Sequence, residues 1–150
     1  MLSIMSLASY AELVDHNLSR TKRIFLLLAS VFYCLAGVLH FVKPNFYLKI
    51  MPPYIPWHLA LVQLSGAFEI LGGIGLLLAQ TRRLAALGLV ALLVAVFPAN
   101  LYMATNPVEA GGVGISSAVR WGRLPLQLVL ILWLLWCSKV RSNETPRVIA

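Results

Sequence analysis

The chain has 150 residues, 60% of them hydrophobic and only 11% charged, with a mean hydropathy of +0.85. A soluble domain carries about 25% charged residues, so this composition excludes an ordinary water-soluble globule. The formal net charge of +7 does not indicate nucleic acid, because the basic residues stand at the ends of apolar stretches.

In chain order, residues 1–23 read as a short lead. Leu7, Ala8, Ala11, Leu13, Val14 and Leu18 would line one stripe of a surface-lying helix, with a frayed terminus as the alternative. Four apolar stretches follow, at 24–42, 58–79, 84–104 and 124–137. Roughly 20 apolar residues cross ~30 Å of hydrocarbon, and the first three stretches meet that length. A spanning segment must satisfy its own amides, which makes these helices. The fourth would reach only ~21 Å at 1.5 Å per residue. It must therefore extend past Ser138 at one end and back towards Arg123 at the other.

The connections differ in character. Residues 43–57 hold Pro44, Pro52, Pro53 and Pro56 with Phe46, Tyr47, Tyr54 and Trp57, which predicts a structured cap on the membrane surface with a helical turn over 46–50. The Thr81-Arg82-Arg83 link is short enough to demand a tight antiparallel hairpin. Residues 105–123 contain Gly111-Gly112-Val113-Gly114, but no strand precedes and no Gly-Lys-Ser follows, so a flexible loop is expected rather than a phosphate cradle. Pro125 suits the first turn of the last helix. Pro98 should kink the third helix and free a carbonyl near residue 94, which Asn100 is placed to meet.

The fold expected is all-α: a polytopic membrane protein built as an antiparallel four-transmembrane-helix bundle. It comprises an N-terminal segment 1–23, a membrane domain 24–138 and a tail 139–150. Arg20, Lys22, Arg23, Arg82, Arg83, Lys139, Arg141 and Arg147 fall on one side and Lys43, Lys49, Arg120 and Arg123 on the other. The richer side should be cytoplasmic, with both termini inside and, in a bacterium, the inner membrane as the location. The first helix reads as a retained signal anchor, its apolar run being too long for a cleaved signal core. Cys34 and Cys137 lie within the first and last helices and read as buried, unpaired thiols. The partners expected are the lipid bilayer and either a partner subunit or a second copy of the chain, with no nucleic acid.

Polar side chains are costly in hydrocarbon and usually face the bundle interior. The set here is His40, Gln63, Ser65, Glu69, Asn100 and Gln127, with Tyr102 nearby and Arg123 at the edge. With both termini inside, most of them fall within ~10 Å of the outer surface, and Glu69 lies deeper. They are the candidate ligand-binding residues of a pocket in the outer half. Ser65 and Gly66 share the face of Glu69, and the Gly66–Gly73 spacing marks a close helix contact. No catalytic residue is expected, since Ser65 has no histidine base. No metal is expected either, because His58 sits at the surface while Glu69 is deep.

Several segments resemble DoxX-like small membrane proteins. These are Gly37-Val38-Leu39-His40-Phe41, Lys43-Pro44, Met51-Pro52, Tyr54-Ile55-Pro56, Ser65-Gly66-x-x-Glu69-x-x-Gly72-Gly73, residues 98–104 from Pro98 to Ala104, and Arg123-Leu124-Pro125-Leu126-Gln127 with Trp133. The resemblance covers about residues 25–138. It implies a four-helix membrane bundle and an association with thiosulfate:quinone oxidoreductase or thiol-stress complexes. The chain itself encodes no cofactor motif, so a non-catalytic subunit or small-ligand binder is the first expectation, with a quinone headgroup as a fitting ligand. A membrane component of a quinone-linked oxidoreductase and an oligomeric small-solute transporter are the alternatives.

Overall fold

The computed structural model describes residues 18–106 and 116–139. The lead stripe from Leu7 to Val14, the glycine run at 111–114 and the tail beyond 139 lie outside them. The described residues form five helices: α1 Arg20–Val42, α2 Pro44–Leu48, α3 His58–Leu77, α4 Arg82–Thr105 and α5 Ser117–Ser138. No strand occurs among them. All except α2 are long and apolar enough to cross a membrane, so the chain reads as a multi-pass membrane protein.

Two helices start earlier than hydropathy suggests, and serine caps are the reason. The Ser19 hydroxyl accepts from the Lys22 amide at 3.3 Å, which draws Arg20–Arg23 into α1. Ser116 accepts from the Val119 amide at 3.3 Å and starts α5 at Ser117. The last span thus has 22 residues, and Arg120 and Arg123 ride on its first two turns.

The α1–α3 contact is made by small residues. A methyl built on Gly37 would stand 2.5 Å from the Gly66 carbonyl oxygen. One on Gly73 would stand 2.7 Å from Cys34 Sγ and 2.9 Å from the Ser30 carbonyl. Later residues of α1 therefore meet earlier residues of α3. Both cysteines are free.

The α3–α4 link is tight, as its length requires. The Leu78 carbonyl accepts from Thr81 and Arg82 amides at 3.2 and 2.9 Å. Arg82 is not a headgroup cation: it is 3% exposed. Its Nε donates to the Leu76 carbonyl at 3.0 Å and its Nη2 to that of Leu77 at 3.4 Å. It covers carbonyls that the end of α3 leaves without helical partners.

Apolar packing is concentrated at this end of the molecule. Leu26, Ala29, Leu76, Ala86, Leu89, Leu134 and Cys137 are buried together, drawn from the start of α1 and α4 and the end of α3 and α5. At the other end the segment 43–57 forms the cap. Pro52 is buried, and its carbonyl receives the Ile55 amide at 3.1 Å and His58 Nε2 at 3.0 Å. Trp57 takes a left-handed φ of 54° just before α3 and is exposed. Ile50 and Met103 pack together with Tyr47 against them, which ties the cap to the end of α4.

Candidate functional site

Between the cap and the packed end lies a cavity of about 610 Å³, within the 300–1,000 Å³ range usual for small-molecule sites. All four long helices line it. From α1 come Phe32, Tyr33, Ala36 and His40, and from α3 Leu61, Val62, Leu64, Ser65, Phe68 and Glu69. From α4 come Leu92, Leu93, Ala95, Val96, Ala99 and Asn100, and from α5 Arg123, Leu126, Gln127 and Leu130. Tyr47, Ile50, Met51 and Ile55 of the cap form its roof.

Six of the eight residues expected from the sequence meet here: His40, Ser65, Glu69, Asn100, Arg123 and Gln127. Gln63 and Tyr102 are outside the lining. Six residues at about 100° each put Gln63 some 240° around the helix from Glu69, and its side chain is exposed. Tyr102 follows Asn100 by two, roughly 200° around α4, and is half-buried elsewhere. Tyr33 and Tyr47 were not foreseen. Tyr33 precedes His40 by seven residues, so two-turn spacing on one helix face was the available signal. Tyr47 was legible only as an interfacial aromatic.

His40 and Glu69 form the centre. His40 Nδ1 lies 2.9 Å from the Ala36 carbonyl and 3.3 Å from Glu69 Oε2. A carbonyl only accepts, so Nδ1 carries the proton. That proton is aimed at Ala36, and Glu69 Oε2 is a close neighbour of the ring without a hydrogen bond from it. The ring stacks on Tyr47 with centroids 3.8 Å apart and planes at 21°. Burial first, and the Glu69 charge second, push the Tyr47 phenol above its ordinary value, with Arg123 pulling the other way. Tyr47 therefore keeps its proton at neutral pH and stays a donor. Tyr33 Oη and Ser65 Oγ are also buried with no hydrogen-bond partner among the described residues.

A second polar element joins α4 to α5. Asn100 Nδ2 donates to Gln127 Oε1 at 2.9 Å, and Gln127 Nε2 donates to the Leu93 carbonyl at 2.6 Å. Helix α4 continues through Pro98. Asn100 does not meet the backbone freed near the proline. Gln127 from the neighbouring helix reaches the Leu93 carbonyl, one residue before Val94, whose carbonyl Pro98 leaves without an amide donor. Replacing Gln127 with leucine should cost about 1–2 kcal/mol. A double-mutant cycle with Asn100→Leu, read by unfolding in mixed micelles, should show coupling near 1 kcal/mol. Strict additivity would mean the two amides do not act as a unit.

A family model described as a domain of unknown function, DUF8561, matches residues 28–138. The chain belongs to the DUF8561 family. The matched region runs from within α1 to the end of α5 and so contains every cavity residue. No curated protein and no solved structure matches the chain.

Proposed function

We propose that this DUF8561 protein is a DoxX-like membrane subunit that binds a small amphiphile between its helices and does no chemistry of its own. One observation carries the reading. Polar groups from all four long helices converge on one cavity at one end of the molecule, whereas the other end is packed with apolar side chains. Structural polars scattered for helix packing would have no reason to segregate in this way. Phe32, Leu64, Phe68 and Leu126 form part of the cavity rim and are exposed on the helix flanks, which gives an apolar tail a route to surrounding lipid.

The bundle is read as antiparallel, supported by the reversed order of the α1–α3 contacts and the short α3–α4 link. Arg20, Lys22, Arg23, Arg83 and Lys139 stand at the packed end. The positive-inside bias makes that end cytoplasmic and puts the cavity in the outer half of a bacterial inner membrane. A quinone is the cofactor that the DoxX-like reading implies. Among the described residues, Tyr47, Arg123 and the unpartnered Tyr33 and Ser65 hydroxyls are donors available to its carbonyl oxygens.

The test is native mass spectrometry with lipid extraction on protein purified in mild detergent, wild type beside Glu69→Gln. A small molecule retained by wild type, and reduced about tenfold in the variant, is the expected result. An equally stable pair with nothing retained by either would make the polar cluster a packing device.

A further inference from the structure

The cavity's polar groups are not equivalent in charge. Glu69 can become neutral by taking up a proton. Arg123 cannot lose its charge under physiological conditions. Arg123 is half-buried and lines the cavity. Among the described residues the Glu69 carboxyl lies beside His40, and Arg123 has neither a carboxylate within salt-bridge distance nor a hydrogen bond. A cation partly withdrawn from water, with no partner among the described residues, is costly, and the space beside this one is the cavity itself.

A second donor stands with it. Tyr47 lines the same cavity as Arg123, and stacking on His40 fixes its ring plane. The lining also presents hydrocarbon, with Phe32, Leu64, Phe68 and Leu126 exposed along the helix flanks.

We infer that the site takes an anionic amphiphile, its oxyanion head held by Arg123 and Tyr47 under the cap and its tail lying between the helices. This rests on the ligand-binding reading above and adds the charge of the ligand. The head is a carboxylate or a lipid phosphate, which share the chemistry a planar guanidinium recognises.

The experiment titrates decanoate, 1-decanol and decylamine against the full chain in phosphatidylcholine nanodiscs and follows thermal unfolding. Decanoate should raise Tm at concentrations where decanol and decylamine do little. Arg123→Gln should weaken decanoate binding roughly 10- to 100-fold, with Arg123→Lys retaining part of it and Tyr47→Phe losing a few-fold. The lysine and phenylalanine variants keep the test readable if Arg123→Gln does not fold. Phosphatidylglycerol in the nanodisc that competes with decanoate in an Arg123-dependent way would identify a lipid phosphate as the head. Failure to compete would leave a free carboxylate, and either result supports the anion site. Equal binding of decanol and decanoate, indifferent to Arg123→Gln, overturns the anion assignment and leaves the ligand-binding reading standing. No stabilisation by any probe overturns both.

Discussion

Gly37→Ala should destabilise the protein by about 1–3 kcal/mol, the usual cost of overpacking, whereas Gly88→Ala should be neutral or stabilise it slightly. Both glycines sit inside membrane-length helices, so helix propensity alone favours alanine at each. Their surroundings differ. A methyl at Gly37 meets the Gly66 carbonyl oxygen at 2.5 Å, Ile70 Cγ1 at 2.7 Å and the Ile70 amide at 3.0 Å. Two of those three atoms are backbone and cannot move without shifting α3. A methyl at Gly88 meets nothing within 4 Å. Gly72→Ala belongs between them, because its obstacle is the Leu89 side chain at 2.6 Å.

The same substitution should also reach the site. His40 is one turn beyond Gly37, and Glu69 is one turn beyond Gly66. Pushing α1 from α3 separates the His40–Glu69 pair, now at 3.3 Å, and widens the cavity wall. Unfolding in mixed micelles checks the first effect, and ligand retention by native mass spectrometry checks the second. Gly37→Ala with unchanged stability would mean that the α1–α3 crossing is much softer than its backbone contacts imply.

The four spans were legible because an apolar run of membrane length admits few conformations. Their ends were less so. Hydropathy stops at charged residues, but Ser19 and Ser116 cap helices that carry Arg20–Arg23 in the first turn of one and Arg120 and Arg123 in the first two turns of the other. Most of the polar lining could be found from depth along each helix. Depth says nothing about rotation, which is why Gln63 and Tyr102 were included with residues on the opposite face. Tyr33 was hidden for a different reason: in an apolar helix a tyrosine looks like core until its hydroxyl proves to have no partner among the described residues. The stripe of Gly66 and Gly73 was readable as a contact, but its partner Gly37 and the separate role of Gly72 against α4 required the helices to be placed.

Arg82 and Arg83 are adjacent, chemically identical and alike in any count of topogenic charge, yet they should respond very unequally to substitution. Arg82→Leu is expected to cost about 3 kcal/mol, on the scale of two hydrogen bonds from a charged donor, while Arg83→Leu should stay within about 0.5 kcal/mol. Arg82 is buried and reaches back to the Leu76 and Leu77 carbonyls. Those groups end α3, where partial negative charge accumulates and a cation is favoured. Removing the guanidinium leaves them without a donor next to the packed apolar end, where water is least able to replace it. Arg83 is exposed at the same turn and is left to interact with lipid headgroups. Arg82→Lys is the informative third variant. It keeps the charge for topology but replaces a planar fork with a single ammonium, so it should recover orientation and only part of the stability. Thermal unfolding of the three proteins, with a cysteine-labelling assay for the side on which the turn lies, separates the two roles. If Arg82→Leu loses orientation but not stability, the contacts to α3 are incidental and the residue acts only as a topogenic charge.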